Sequence, residues 1–288
     1  MPEHTIAEDD AGFAVVAAQM LQSSPAAIGK LGTIELDLVC FCCAGQTPVP
    51  QMLYILSRNA GMFPATNEVA QEMAARLVQA LAYMTCLSPW VHLQNTWAVF
   101  DRYASPKTEY VGLSALECYL SPDRARWWTA RLPPHTKVLV VSPFAQSIEK
   151  QLPKLQDVFP GLWRLDTQFQ TLAFPLSYGV QDAATQADMR QRWTNSIGLL
   201  EDMQRQMDAC EYDIVLVGAG IYSLPLVAHA KQRGKKGIHL GGATQLFFGI
   251  RGARWDAMPA FQRFFNEHWI RPTERPQLLE LVEGGCYW

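Results

Sequence analysis

The chain has 288 residues, 49% hydrophobic and 18% charged, and with 9 Trp and 13 Phe it is too apolar and aromatic to stay disordered. Its formal net charge is -3 and no segment gathers the Lys and Arg density that neutralising a phosphate backbone would require, which argues against nucleic acid as a partner. The acidic opening MPEHTIAEDD and the lack of an apolar run of roughly 20 residues argue against a signal peptide or transmembrane segment, so the expectation is a soluble cytoplasmic protein, at most peripheral to the inner membrane.

In chain order, Phe13, Val15, Val16, Met20 and Leu21 predict a helix that ends at Ser23, Ser24 and Pro25. Ala27 to Leu31 reads as a short strand running into Gly32. The stretch Ile34 to Cys42 fits both a strand and a helix face and is assigned to helix. Val69, Met73, Leu77, Leu81 and Met84 recur at helical spacing behind Asn67, read as the N-cap of a helix over 67–84. Val91 to Phe100 reads as a strand and Ser114 to Leu120 as a short helix. Ser121-Pro122-Asp123 then starts a helix bearing Trp127 and Trp128.

Pro133 and Pro134 mark a change of pattern, so two lobes are predicted: a helical N-terminal α/β lobe over 1–134 and a Rossmann-like nucleotide-binding lobe over 135–288. Val138 to Val141 is a continuous aliphatic run, mostly β-branched, as in a strand buried on both faces. Ile148, Leu152, Leu155 and Phe159 predict a helix interrupted by Pro153, and Met189 to Met207 a long crossover helix before strand Ile214 to Val217. The expected fold class is α/β, a mostly parallel sheet with helices on both faces. The seven cysteines form no framework; Cys40 and Cys43 make a CxxC without a second pair, so they read as reduced, buried small residues.

The densest chemical signal spans Asp213 to Gly242: strand, Gly218-Ala219-Gly220, a helix closed by Gly234, and strand Ile238 to Leu240. Glycines at a strand end admit a ligand to backbone N–H groups, and the following helix dipole favours an anion there. Gly218, Gly220, Tyr222 and Ser223 are the candidate diphosphate contacts of this turn, joined by Gly241, Gly242 and Thr244 after the next strand. The acidic residue that a dinucleotide site places about 20 positions on is replaced by His239-Leu240-Gly241-Gly242, which demotes an NAD(P)-type oxidoreductase to an alternative. Trp269, Arg271, Glu283 and Tyr287 offer aromatic faces beside hydrogen-bonding groups, the mixture that sugar recognition uses, and the apolar Cys286-Tyr287-Trp288 predicts a segment folded back on the protein.

The βαβ unit together with Gly29-Lys30-Leu31-Gly32-Thr33-Ile34-Glu35 resembles the GT-D glycosyltransferases, in which a strand ends in an Arg-x-Gly-Asp-x-Glu type turn beside a Rossmann-like half. IHLGGATQLFFGIRGARW, FNEHWIRP and VEGGCYW are similar to bacterial proteins of surface-polysaccharide gene clusters. The resemblance implies a nucleotide-sugar donor, a glycan acceptor and bacterial surface-polysaccharide or glycoconjugate assembly. It maps Gly32 on the turn glycine, Glu35 on the second acid and Lys30 on the arginine. Thr33 stands where the first acid would help bind Mn²⁺ or Mg²⁺, so a metal would have Glu35 and a displaced Asp37 at most. Glu35, Lys30 and Asp37 are therefore the catalytic candidates, with Gly32 and Thr33 at the donor. A non-catalytic nucleotide-binding or scaffold protein is the second alternative; donor sugar, acceptor and oligomeric state have no sequence signature.

Overall fold

The computed structural model describes residues 4–288. In the N-terminal half the elements are β1 (Ile6–Ala7), α1 (Asp9–Leu21), β2 (Ala26–Gly29), α2 (Thr33–Cys43), α3 (Pro50–Ala60), α4 (Asn67–Leu81), β3 (Cys86–Leu87), α5 (Leu93–Tyr103) and β4 (Glu109–Val111). There follow β5 (Lys137–Ser142), α6 (Ala145–Gln151), α7 (Leu155–Val158), β6 (Gln168–Ala173), α8 (Ala183–Trp193), α9 (Ser196–Asp208), β7 (Ile214–Val217), α10 (Ser223–Gln232), β8 (Lys236–His239), α11 (Ala253–Asp256) and α12 (Pro259–Gln262). Short 3-10 turns fill the intervals, among them Gly220–Tyr222 and Gly241–Phe248.

All strands lie in one parallel sheet of order β1-β4-β3-β2-β8-β7-β5-β6. The strands of 1–134 occupy one half and those of 135–288 the other, joined where β2 pairs with β8. Side chains alternate between the faces: Leu139, Val141, Val215 and Val217 enter the core under α2, α4, α9 and α10, while Val138, Val140, Ile214 and Leu216 enter the one under α1, α6 and the aromatic C-terminal segment. A strand covered on both faces has no solvent side, which is why β5 and β7 are apolar at successive positions.

Several elements depart from the sequence expectation. Residues 93–103 are helix rather than strand: Thr96, Val99 and Phe100 are buried at i, i+3 and i+4, a helical period that a short apolar run does not distinguish from a strand. Residues 114–120 form two 3-10 turns, and the Trp127–Trp128 region two more, the first capped by Asp123 through Ala125 N–H at 2.9 Å. The long crossover helix is α8 and α9, parted at Thr194, whose φ of 61° leaves the helical region. Thr66 caps α4 instead of Asn67, and Pro153 does divide its helix, into α6, a 3-10 turn and α7.

Candidate active site at the carboxyl ends of the strands

The chain leaves β2 and β7 towards one face of the sheet, into α2 and α10, and leaves β8 and β5 towards the other. Adjacent strands whose exits part in this way open a crevice at their carboxyl ends, the ligand position of open α/β sheets. A cavity of about 300 Å³ lies there, and the segments after β2, β3, β5, β7 and β8 all contribute to its wall.

Gly32 is the N-cap of α2, so Glu35 is its third residue, the position from which an acid turns back over the helix start. Its carboxylate indeed folds over Gly32, where an added Cβ would strike it. Burial pushes the Glu35 carboxyl above its ordinary range and the Glu283 carboxylate adds to this, against its own backbone N–H and the Lys30 ammonium. Burial likewise draws Lys30 below its usual range, opposed by Glu117 and Glu35. The Lys30 Nζ stands 4.8 Å from the Trp90 ring centroid, and Trp90, 39% exposed, is anchored by its Nε1–H on the Leu31 carbonyl at 2.8 Å. Glu117, raised by burial, accepts the Tyr119 hydroxyl and lies near enough to Lys30 for each charge to favour the other. An ammonium among carboxylates is thereby held in place without a close ion pair.

The two glycine turns meet each other. A Cβ on Gly218 would lie 2.6 Å from the Gly241 carbonyl and 2.7 Å from the Thr244 hydroxyl, so only hydrogen permits that approach. Gly220 has φ of 54° and would meet the Ala60 carbonyl at 2.7 Å. Three of the turns' N–H groups already have partners: Gly218 with Val141 O at 2.9 Å, Ala219 with Ser223 Oγ at 2.8 Å, and Gly241 with His239 Nδ1 at 3.2 Å. The same Nδ1 also stands 3.5 Å from the Val217 carbonyl. Burial, reinforced by Lys30, holds His239 at about 3, so the ring is neutral.

On the facing wall Arg254 pairs with Glu283 at 2.5 Å and lies over the Tyr287 ring at 4.8 Å, and the Tyr287 hydroxyl reaches Glu283 at 3.2 Å. Tyr287 also rests on Gly242. Trp288 packs on Phe144, 5.8 Å between centroids, and donates to the Glu274 carbonyl at 2.6 Å, so this segment folds back as its apolar character predicts.

Of the residues singled out from sequence, Lys30, Gly32, Thr33, Glu35, Gly218, Gly220, Gly241, Gly242, Thr244 and Glu283 line the cavity. Asp37 does not: two residues along a helix point to opposite faces, and Asp37 stands near Cys40, whose thiol burial and that carboxylate push up. Tyr222 is fully buried, bonded to Gly61 O and Ser196 Oγ at 2.8 Å each, and Ser223 closes the turn from beneath. Trp269 donates to Val158 O at 2.8 Å, and Arg271 engages Asp256 and the Trp288 carbonyl. These last four are structural neighbours of the site. Sequence reasoning did not single out His239, Glu117, Arg254, Asn59 or Gln245; His239, between a strand and a Gly pair, was the one with a local signal.

Among the described residues no three His, Cys, Asp or Glu side chains gather as a metal centre requires. Glu35 has an ammonium beside it and Glu283 is already paired with Arg254, a donor set that does not fit a divalent cation. No helix of the described residues is long and apolar enough to cross a membrane.

No family model matches the chain, and no curated protein matches it. Solved structures similar to it include a glycosyltransferase of domain of unknown function 1792 from Streptococcus sanguinis, 14% identical with TM-score 0.46 over 93% of this chain and 94% of that one. Another, described as that domain with a distinct glycosyltransferase fold, is 15% identical with TM-score 0.46 over 93% of this chain and 90% of that one.

Proposed function

We propose that the protein is a glycosyltransferase that moves a sugar from a nucleoside-diphosphate donor to a glycan hydroxyl, in the assembly of bacterial surface polysaccharide or glycoconjugates. The observation that carries this reading is the convergence of Lys30 and Glu35 with both glycine turns on one crevice at the strand ends. A carboxyl raised by burial is a stronger base once ionised, suited to take a proton from an alcohol near neutral pH. In the transfer step the acceptor hydroxyl gives its proton to a Glu35 carboxylate oxygen as its own oxygen bonds the anomeric carbon. The bond from that carbon to the diphosphate oxygen breaks, and the electron pair leaves with the diphosphate. Lys30, and Arg254 from the opposite wall, supply positive charge where that anion develops. Because three turn N–H groups are engaged within the chain, these side chains carry more of the diphosphate's charge than the backbone does.

Thr33, a cavity residue with a hydroxyl where an acid would help hold a metal, favours a second reading, a non-catalytic nucleotide-binding protein. A thermal-shift panel of UDP- and GDP-sugars, with and without Mn²⁺, followed by a transfer assay on whichever donor binds, separates the two. Stabilisation by a nucleotide sugar with measurable transfer is expected. Binding without turnover supports the scaffold, and stabilisation by NAD(P) alone overturns both.

A further inference from the structure

Gln245 is 1% exposed and sits in the 3-10 turn after β8. Its Nε2 donates to the Ile250 carbonyl at 3.2 Å and the Tyr287 carbonyl at 3.0 Å. Both partners are pure acceptors, so the orientation of the amide is fixed and both of its protons are used. Oε1 is buried with no hydrogen-bond partner, and the residue lines the cavity. Asn59, near the end of α3, lines the same cavity, and its Oδ1 is likewise buried and without a partner. A buried acceptor left unpaired is costly, and two at one cavity define what a ligand must bring.

We propose that Gln245 and Asn59 form a subsite that accepts hydrogen bonds from hydroxyl groups of the donor's sugar, and so set the preference for a hydroxylated ligand; this rests on the glycosyltransferase reading above. Phosphate oxygens are acceptors and are repelled by amide oxygens, which leaves the diphosphate to Lys30 and Arg254. Gln245 belongs to the reacting side of the cavity. Its anchor, Tyr287, also bonds Glu283, and Glu283 is close enough to Glu35 to raise that carboxyl. A site built around a fixed acceptor discriminates strongly against a ligand that lacks the matching donor.

The test is calorimetric titration of the full chain, its Asn59→Ala variant and its Gln245→Met variant with UDP, UDP-glucose, GDP and GDP-mannose, each protein checked by its unfolding transition. Asn59→Ala removes an oxygen that has no partner within the chain, so it keeps the test open should Gln245→Met fail to fold. Each folded variant is expected to bind the nucleotide sugar about tenfold or more weakly, with free nucleoside diphosphate unchanged. Equal losses for both kinds of ligand, or no loss in Asn59→Ala, overturn the subsite while leaving the glycosyltransferase reading in place. No binding of any of the four to the unaltered protein overturns that reading, and the subsite with it.

Discussion

The turn after β7 and the turn after β2 reach the same cavity by opposite means. In the first, backbone meets backbone: Gly218 admits the Gly241 carbonyl and Gly220 the Ala60 carbonyl, and the Gly218 and Ala219 amides are tied to the chain's own acceptors. In the second, a glycine cap clears space for Glu35 to fold back, and the charged groups Lys30 and Glu35 face the opening. Glycine-rich and ligand-contacting are therefore different properties. The first turn shapes the crevice, and the second supplies its charged side chains.

The largest effect that this contrast predicts is on folding. Gly220→Val places a branched side chain at positive φ against a carbonyl and should destabilise the protein by about 3 kcal/mol in urea unfolding, whatever ligand is present. An unchanged midpoint would show that the turn is not held by packing. Glu35→Gln should lower transfer by about 100-fold or more with the fold retained; full turnover would remove the carboxylate from the chemistry.

The pH response separates Glu35 from His239. Since Glu35 is raised and His239 is held at about 3, the acid limb of the rate profile belongs to the carboxylate, with the rate climbing as pH rises through its raised value. That limb should vanish from any residual activity of Glu35→Gln. Stability runs the other way. A carboxyl raised on folding binds its proton more tightly in the folded state, so its contribution is present below the unfolded value of 4.5 and is lost as pH rises through the folded one. Unfolding of Glu35→Gln across this range should be flatter with pH than that of the parent. Smallest is Glu283→Gln: its pair with Arg254 is partly solvated, so a stability change below about 1 kcal/mol is expected, and a larger one would make the pair a structural clamp.

What the sequence disclosed follows from how far each signal reaches along the chain. β5, β7, α10 and β8 were legible because buried strands and a helix closed by Gly234 write their pattern into consecutive residues. β1, β3 and β4 are two or three residues long, too short for any period, and β6 pairs only with β5, so half of its QFQTLA is polar and it lacks the apolar run of a central strand. α3 went unread although Pro50 opens it and Gly61 closes it. In the cavity, Lys30, Glu35 and the glycines stood in local motifs. Arg254, Asn59 and Gln245 are brought together only by tertiary structure, and no spacing could have announced them.

The pairing of β2 with β8 governs how the protein comes into being. β8 is the last strand to be made, yet it inserts at the centre of the sheet, between β2 and β7. Until it docks, β2 and β7 each carry an open edge, a template for wrong partners, and the crevice has no floor. Contacts so distant along the chain form slowly. The same strand thus completes the sheet and the floor of the crevice, so a ligand bound there would stabilise the sheet at its centre.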